Sequence, residues 1–417
     1  MKHYKEQTVK LEIKDFPAPE IIVMPLVQHL GAPTEAKVKV GDEVKVGQVL
    51  GSADAFVTAP IHASVSGKVQ AIEVRPHPSG IPVLSIVIQN DGKNEIDGAI
   101  KPYPELDSLS KEQIIDLVKS SGLVGMGGAA FPTHVKLQPP KEKKVDTLIL
   151  NAAECEPYLT ADHRVLLEET ADVLLGLKAA AKALAVQNIY IGIENNKMDA
   201  VKKLKEAGAE SFAKIVILKT KYPTGAEKVL VKKVIKRTVP PLGIPLDVGC
   251  VVSNVGTMAQ LGKTIKTGLP LIERIVTLAG SEVDNPGNYR VKLGTRLQDL
   301  IKFKIDLYKE DAKDYKLLMG GPMMGLSQST LEVPIMKGSS GVLLIDAVTP
   351  AEENCIRCGR CVDNCPLDLL PYDEFDKVND NCMECGLCAY NCPAKRHLVQ
   401  RIKMLKLERQ IKKKKGK

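Results

Sequence analysis

The spacing of hydrophobic and polar positions changes character along the chain, and each change marks a different architecture. Between residues 29 and 90, short Val-rich alternation (HLGAPTEAKVKVGDEVKVGQVLGS, then FVTAPIHASVSGKVQAIEV) is cut every few residues by Gly-Asp, Gly-Gln and Ser-Gly. Apolar residues at every second position, bounded by turn dipeptides, predict a small antiparallel barrel or sandwich. From about Leu109 the period lengthens. VDTLILNAAE at 145–154, NIYIGIE at 188–194 and AKIVILKT at 213–220 read as strands, separated by helical stretches at 164–185 and 198–207. Strands alternating with helices predict a parallel, doubly wound α/β sheet, whose ligands sit at the carboxyl ends of the strands. IERIVTLAGSEVDNPGNYRVKLGTRLQDLIKF at 272–303 then predicts two strands, a Pro-Gly turn and a helix beginning at Gly294-Thr295, a compact α+β unit. The expected division is 1–105, 106–268, 269–345, a cysteine-rich unit at 346–400 and a basic tail at 401–417.

Composition sharpens this picture in three respects. A chain of 417 residues is too long for one domain core. Aromatics make up only 4% and Trp is absent, so the 44% hydrophobic content must bury mainly Val, Ile, Leu and Ala. No run approaches the roughly 18 apolar residues a spanning helix needs; IIVMPLV at 21–27 is short and interrupted by Pro25. Work at a membrane would be done from its surface. The net charge of +8 is concentrated at the end, where residues 395–417 hold eleven Lys or Arg against Glu408 alone. Such a tail suits an anionic membrane surface or an acidic partner. It has no aromatic residue to stack on bases, which argues against nucleic acid. Leu398, Ile402 and Leu405, at helical spacing, predict that its first turns are packed.

Eight of the ten cysteines fall in two copies of C-x2-C-x2-C-x3-C-P: Cys355, Cys358, Cys361 and Cys365, then Cys382, Cys385, Cys388 and Cys392. This is the run of two-cluster bacterial ferredoxins, in which the fourth cysteine of each copy serves the other [4Fe-4S] cube. The expected ligand sets are therefore Cys355, Cys358, Cys361 and Cys392 for one cube and Cys382, Cys385, Cys388 and Cys365 for the other. Soft thiolates select iron–sulfur or zinc over hard cations, and the tight three-cysteine wrap suits a cube corner better than a zinc ribbon. A disulfide framework needs an oxidising compartment, to which MKHYKEQTVKLEIKDF offers no apolar leader. Cys155 and Cys250 are expected to be buried and inert. His62 and His77, without neighbouring ligands, are expected on the surface or in turns.

The chemistry outside the cysteines begins at Gly122–Lys136, GLVGMGGAAFPTHVK, where glycines free backbone amides for an anion or a flat ring and Lys136 adds charge. The loop is neither a Walker A nor a strict dinucleotide fingerprint. Three polar elements follow predicted strands: NAAECEP at 151–157, YPTGAE at 222–227 and SNVGT at 253–257. In one α/β sheet these ends converge on a single crevice.

Together these elements resemble the flavin-bearing, NADH-oxidising subunit of respiratory NADH dehydrogenase. The whole chain, over nearly all of 20–400, resembles the RnfC family of the Rnf ion-translocating electron transport complexes. The opening V-x-V-G-D-x-V and A-x-V-S-G-K-V stretches are similar to barrel-sandwich hybrid domains that carry lipoyl or biotinyl groups. Ala53-Asp54-Ala55 stands where those carry a Lys, which implies the fold without the swinging arm. The 272–303 unit resembles a β-grasp, SLBB-like domain. The resemblance places FMN against Gly125, Gly127, Gly128 and Lys136, flanked by Asn151, Glu154, Tyr222 and Gly225, with Asn254 and Thr257 at the ribityl phosphate. NAD(H) would lie between Phe131 and the acidic Glu156 and Glu227. Met126, Ala153 and Ala226 stand where the dehydrogenase subunit carries Arg, Asp and Glu, departures that bear on nucleotide affinity.

The function implied is a peripheral NAD(H)-handling subunit on the cytoplasmic side of the cell membrane. It would work with integral membrane and iron–sulfur or flavin subunits, passing electrons between NAD(H), FMN and two [4Fe-4S] clusters. No catalytic side chain is expected, because hydride transfer belongs to the cofactors. The alternatives are a soluble reductase of the cobalamin-reductase type and a non-catalytic electron-conducting scaffold.

Overall fold

The computed structural model describes residues 3–302, 315–347, 354–372 and 381–415. The predicted barrel-sandwich is built from two small antiparallel sheets. One orders Ile21–Pro25, Val83–Asn90, Gly67–Arg75 and Glu43–Val44; the other orders Glu35–Ala36, Val49–Ser52 and Ile61–His62. His77 lies at a turn, bonded to Ser79 Oγ at 2.7 Å and the Val27 carbonyl at 3.0 Å. His62 departs from expectation. It is only 3% exposed, because its strand turns it inward toward the next domain rather than to solvent.

The α/β domain has four parallel strands in the order Lys214–Leu218, Asn188–Glu194, Thr147–Ala152, Cys250–Asn254. The chain winds outward one way from Thr147–Ala152 and then crosses to its other side. The resulting switch point opens a crevice at the carboxyl ends of Thr147–Ala152 and Cys250–Asn254. The helix predicted at 164–185 is two helices, Ala161–Glu168 and Thr170–Leu184. It breaks at Glu169, whose carboxylate meets Lys263 and Arg290, each at 2.6 Å. Thr170–Leu184 packs backbone to backbone on Val255–Thr267. A Cβ at Gly176 would come within 1.9 Å of the Met258 carbonyl oxygen, and one at Gly262 within 2.1 Å of that of Asp172.

The third unit is a six-stranded sheet ordered Ile13–Asp15, Gly287–Lys292, Glu273–Gly280, Gly341–Asp346, Tyr315–Met319, Leu326–Ser327. The predicted pair of strands and the Pro-Gly turn are present, while the helix after Gly294-Thr295 is a single turn, Leu297–Leu300. The N-terminal strand Ile13–Asp15 joins this sheet, parallel to Gly287–Lys292, rather than the barrel that follows it in sequence. One apolar core runs through all three units, from Met24, Leu50 and Ile86 through Leu148 and Leu177 to Leu278 and Val342. Domains sharing a core this continuous hold the crevice in a fixed frame.

The cysteine-rich unit carries two short helices, Arg360–Asp363 and Leu387–Tyr390, preceded by Gly359 (φ 76°) and Gly386 (φ 83°). Left-handed residues recur at equivalent places in the two copies, Arg357 with Glu384 and Asp368 with Lys395, so the duplication seen in the sequence is also one of backbone geometry. The helix Leu398–Lys415 closes the described chain, with Leu398 and Ile402 buried as predicted. Among the described residues no helix is long and apolar enough to cross a membrane.

Candidate functional site

At the switch point, Asn254 ends its strand and caps the Val255–Thr267 helix, its side-chain oxygen accepting from the Thr257 amide at 3.3 Å. Thr257 Oγ1 in turn accepts from the Met126 amide at 2.9 Å and donates to the Val124 carbonyl at 3.3 Å. The glycine loop is thereby stitched to the helix start. Gly127 must lack a side chain, since a Cβ there would lie 2.7 Å from Asn254 Nδ2. Gly128 opens on free space. Gly127, Gly128 and Ala129 are exposed, and none of their amides has an acceptor among the described residues. Gly125 donates to the Phe131 carbonyl at 2.8 Å, which folds the loop back and leaves Phe131 half-buried at its edge. On the neighbouring strand end, Asn151 Nδ2 donates to the Gly225 carbonyl at 2.8 Å. The structure thus gathers Gly125, Gly127, Gly128, Asn151, Gly225, Asn254 and Thr257 around one crevice.

The charged residues singled out in the sequence are engaged with one another or with backbone. Lys136 Nζ lies 2.9 Å from Glu227 Oε1 and 3.2 Å from the Val252 carbonyl. The two charges assigned to different cofactors therefore meet as an ion pair. The Glu154 carboxylate accepts from the amides of Asp162 (2.7 Å) and His163 (3.2 Å), so it serves the N-terminus of Ala161–Glu168. Glu156 is turned into the third unit, where it accepts from the amides of Met323 (3.1 Å) and Met324 (3.0 Å). Burial there pushes its carboxyl up to about 7.

Three buried charges were not visible in the motifs. Arg274, on the strand Glu273–Gly280, donates to Met126 Sδ (2.9 Å), the Met126 carbonyl (3.2 Å) and the Ser339 carbonyl (2.9 Å), placing a guanidinium beneath the glycine loop. Burial draws it down to about 10. Asp162, bonded by Asn254 Nδ2 at 2.6 Å, faces the same cavity as Arg274 and Gly256. Burial, and then the Glu154 charge, raise it to about 6. Lys337 donates to the carbonyls of Pro60 (2.5 Å) and Gly122 (2.7 Å), tying the barrel, the start of the loop and the third unit together. Burial alone lowers it to about 7, so the amine can be neutral while keeping two donors for two acceptors. No local pattern marks these residues, because their partners are far along the chain: Met126 lies 148 positions from Arg274, Asn254 lies 92 from Asp162 and Gly122 lies 215 from Lys337.

The thiols fall into the two crossed sets. Cys355, Cys358, Cys361 and Cys392 line one cavity together. For the other set, burial first and then neighbouring thiols, Cys365 among them, push Cys385 up to about 11 and Cys388 up to about 12. All ten cysteines are free of disulfides. Backbone amides donate to sulfur at equivalent points of the two copies, Arg357 to Cys355 at 3.4 Å and Glu384 to Cys382 at 3.3 Å. Among the described residues no three ligating side chains gather closely enough for a single metal ion. Cys155 and Cys250 are buried as expected, and burial raises each thiol to about 12. From the tail helix, Lys406 bonds the Cys382 carbonyl (2.5 Å) and Glu384 (2.7 Å), so part of the basic tail serves the cluster unit itself.

The residues present fit both kinds of group: exposed, unpaired loop amides beside a capped helix start suit a phosphate-bearing flavin, and the two thiol sets suit two cubes. Family models match in the same order. Residues 1–93 match the RnfC barrel sandwich hybrid domain, 118–263 the Nuo51 FMN-binding domain, 275–327 the SLBB domain and 354–396 the 4Fe-4S dicluster domain. The chain is 44% identical over 371 residues to the C subunit of the Na(+)-translocating ferredoxin:NAD(+) oxidoreductase complex of Acetobacterium woodii, covering 88% of this chain and 83% of that protein. It is 45% identical over 370 residues to the proton-translocating counterpart of Clostridium ljungdahlii, covering 88% and 80%. With the C subunit of the ion-translocating oxidoreductase complex of Rhodobacter capsulatus it shares 39% identity, over 89% of this chain and 72% of that protein.

Proposed function

Since the chain belongs to the RnfC family, whose members serve ion-translocating ferredoxin:NAD(+) oxidoreductase complexes, we propose that it is the peripheral, NAD(H)-handling member of such a complex on the cytoplasmic side of the membrane. Its partners are the integral membrane and iron–sulfur or flavin subunits of that assembly. The observation that carries this reading is the coexistence, in one chain, of the amide-lined crevice at the α/β switch point and the two crossed thiol sets. When bound, FMN exchanges hydride with a nicotinamide and single electrons with the cubes, a conversion neither partner makes alone.

The chain's own residues bind and orient. Gly125, Gly127 and Gly128 offer backbone to the flavin, with Asn151 and Gly225 along its flank and Asn254 and Thr257 at its phosphate end; Tyr222 is buried behind that flank, its hydroxyl on the Cys385 carbonyl. Arg274 supplies positive charge beneath a loop that has Met126 in place of a cation. Phe131 flanks the nicotinamide nucleotide. Lys136 and Glu227 reach the two cofactors as a pair, so a ligand phosphate competing for Lys136 would free Glu227. Glu154 and Glu156 act indirectly, by holding the helix and loop that wall the site. The last turns of the tail, beyond Lys406, meet anionic lipid or an acidic partner. An anaerobic titration with NADH, followed by absorbance and EPR, tests the whole: flavin bleaching followed by cluster reduction is expected. A protein holding eight irons with no affinity for flavin would overturn it.

A further inference from the structure

The cysteine duplication is symmetric in sequence and in backbone, but the two copies do not share an environment. Cys385 belongs to a dry apolar contact with Tyr222, Cys155 and Leu387, against which Met323 and Met383 pack. Tyr222, 3% exposed, donates its hydroxyl to the Cys385 carbonyl at 2.7 Å. The same YPTG turn reaches back to the crevice. Gly225 donates to Cys155 Sγ at 3.2 Å, and its carbonyl is held by Asn151 at the sheet edge. Glu156 fastens the other side by gripping the amides of Met323 and Met324, and a Cβ at Gly386 would come within 3.2 Å of the Met323 carbonyl oxygen.

The equivalent positions of the first copy meet none of this. Cys355 and Cys358 are exposed, a Cβ at Gly359 would meet nothing within 4 Å, and Ile356, the counterpart of Met383, is 65% exposed. We propose that the cube held by Cys382, Cys385, Cys388 and Cys365 is the inner one, coupled to the flavin crevice through Tyr222. The cube held by Cys355, Cys358, Cys361 and Cys392 is the outer one, through which electrons pass to or from the partner. Tyr222 is a positioning residue for this junction. This order rests on the reading of the crevice as the flavin site. In the direction of NADH oxidation, each hydride brings two electrons, its proton goes to solvent, and the electrons cross the inner cube one after the other, leaving NAD(+) and two cubes reduced by one electron each. The reverse direction uses the same order backward.

The test uses the full chain carrying FMN and both clusters. Cys385→Ser and Cys358→Ser assign the EPR signal of each cube. Tyr222→Phe is expected to shift the midpoint potential of the Cys385 cube to lower values, because the hydroxyl that draws electron density from the Cys385 carbonyl beside the cube is lost, with the other cube and the iron content unchanged. In freeze-quenched mixing with NADH, the Cys385 signal should rise first. A first rise at the Cys358 cube, or a Tyr222→Phe shift confined to that cube or absent from both, overturns the order. One arm needs neither a variant nor the flavin: limited treatment of the wild-type chain with an iron chelator, followed by alkylation and peptide mapping, should label Cys355, Cys358, Cys361 and Cys392 first. Earlier labelling of the Cys382 set, or equal labelling, refutes the inner and outer assignment whatever NADH does. Failure of NADH to bleach the flavin while this labelling order holds refutes the proposed function instead.

Discussion

In the α/β crevice, the groups that would meet a ligand are already held by other parts of the protein: Asn254 by Asp162, Asn151 by Gly225, Met126 by Thr257 and Arg274. In the cluster unit the thiols are held more lightly, by two backbone amides, a small apolar group of Cys361, Cys388, Leu398 and Val399 and, in the second copy alone, the contact of Cys385 with Tyr222. The first region is preorganised by a core shared among three units. The second is a loop-rich segment whose main cross-links are the iron–thiolate bonds themselves. One region is therefore expected to keep its shape when empty, and the other to depend on its metal.

The largest effect should follow from removing iron. Hydrogen exchange is expected to show protection lost across 354–372 and 381–398 and kept across 111–267, and equal loss in both units would break the contrast. Next comes Arg274→Met, which takes the cation from beneath the loop and leaves Asp162 buried without it. A loss on the order of 3 kcal/mol in urea unfolding is expected, with flavin no longer retained on purification. An unchanged urea midpoint would show that the preorganisation does not run through this residue.

Lys337 gives a pH signature. Its amine titrates near 7 in the folded protein but near 10.5 when unfolded, so between those values the unfolded chain binds the extra proton. Stability then rises with pH by up to about 1.4 kcal/mol per unit from this group. Lys337→Met should flatten the slope measured by urea unfolding at pH 7, 8 and 9, and an identical slope would count against a neutral buried amine. The smallest effect is expected for Asn254→Ala, about 1 kcal/mol for a lost helix cap. In calorimetry, this variant should weaken flavin binding more than it lowers Tm.

The same contrast explains what the sequence could tell. The cysteine pattern is written within a few residues, so a 4Fe-4S dicluster unit is legible from the amino-acid order alone. Strands at 147–152, 188–194 and 214–218 were equally legible, because each is an apolar run bounded by polar turns. The crevice was legible only as a set of strand ends. Nothing near Met126 announces Arg274, 148 positions away, and nothing near Glu156 announces the Met323 amide, 167 positions away. His62 reads as a polar residue in a turn-rich stretch, and its burial depends on a neighbouring domain. The helix broken at Glu169 shows the same limit: its periodicity runs on, while the partners of the carboxylate at the break, Lys263 and Arg290, lie 94 and 121 positions away.

The pairing of Ile13–Asp15 with Gly287–Lys292 has a consequence for how the chain is made. Asp15 and Arg290, joined across that pairing, are 275 residues apart. At synthesis rates of roughly 5–20 residues per second, an edge strand made among the first residues waits tens of seconds for its neighbour to leave the ribosome. During that interval the emerging polypeptide carries an unmatched ribbon, so nascent chains should depend on chaperones at the outset, and a bulky fusion at the amino end should disturb assembly of a sheet encoded near the far end of the message.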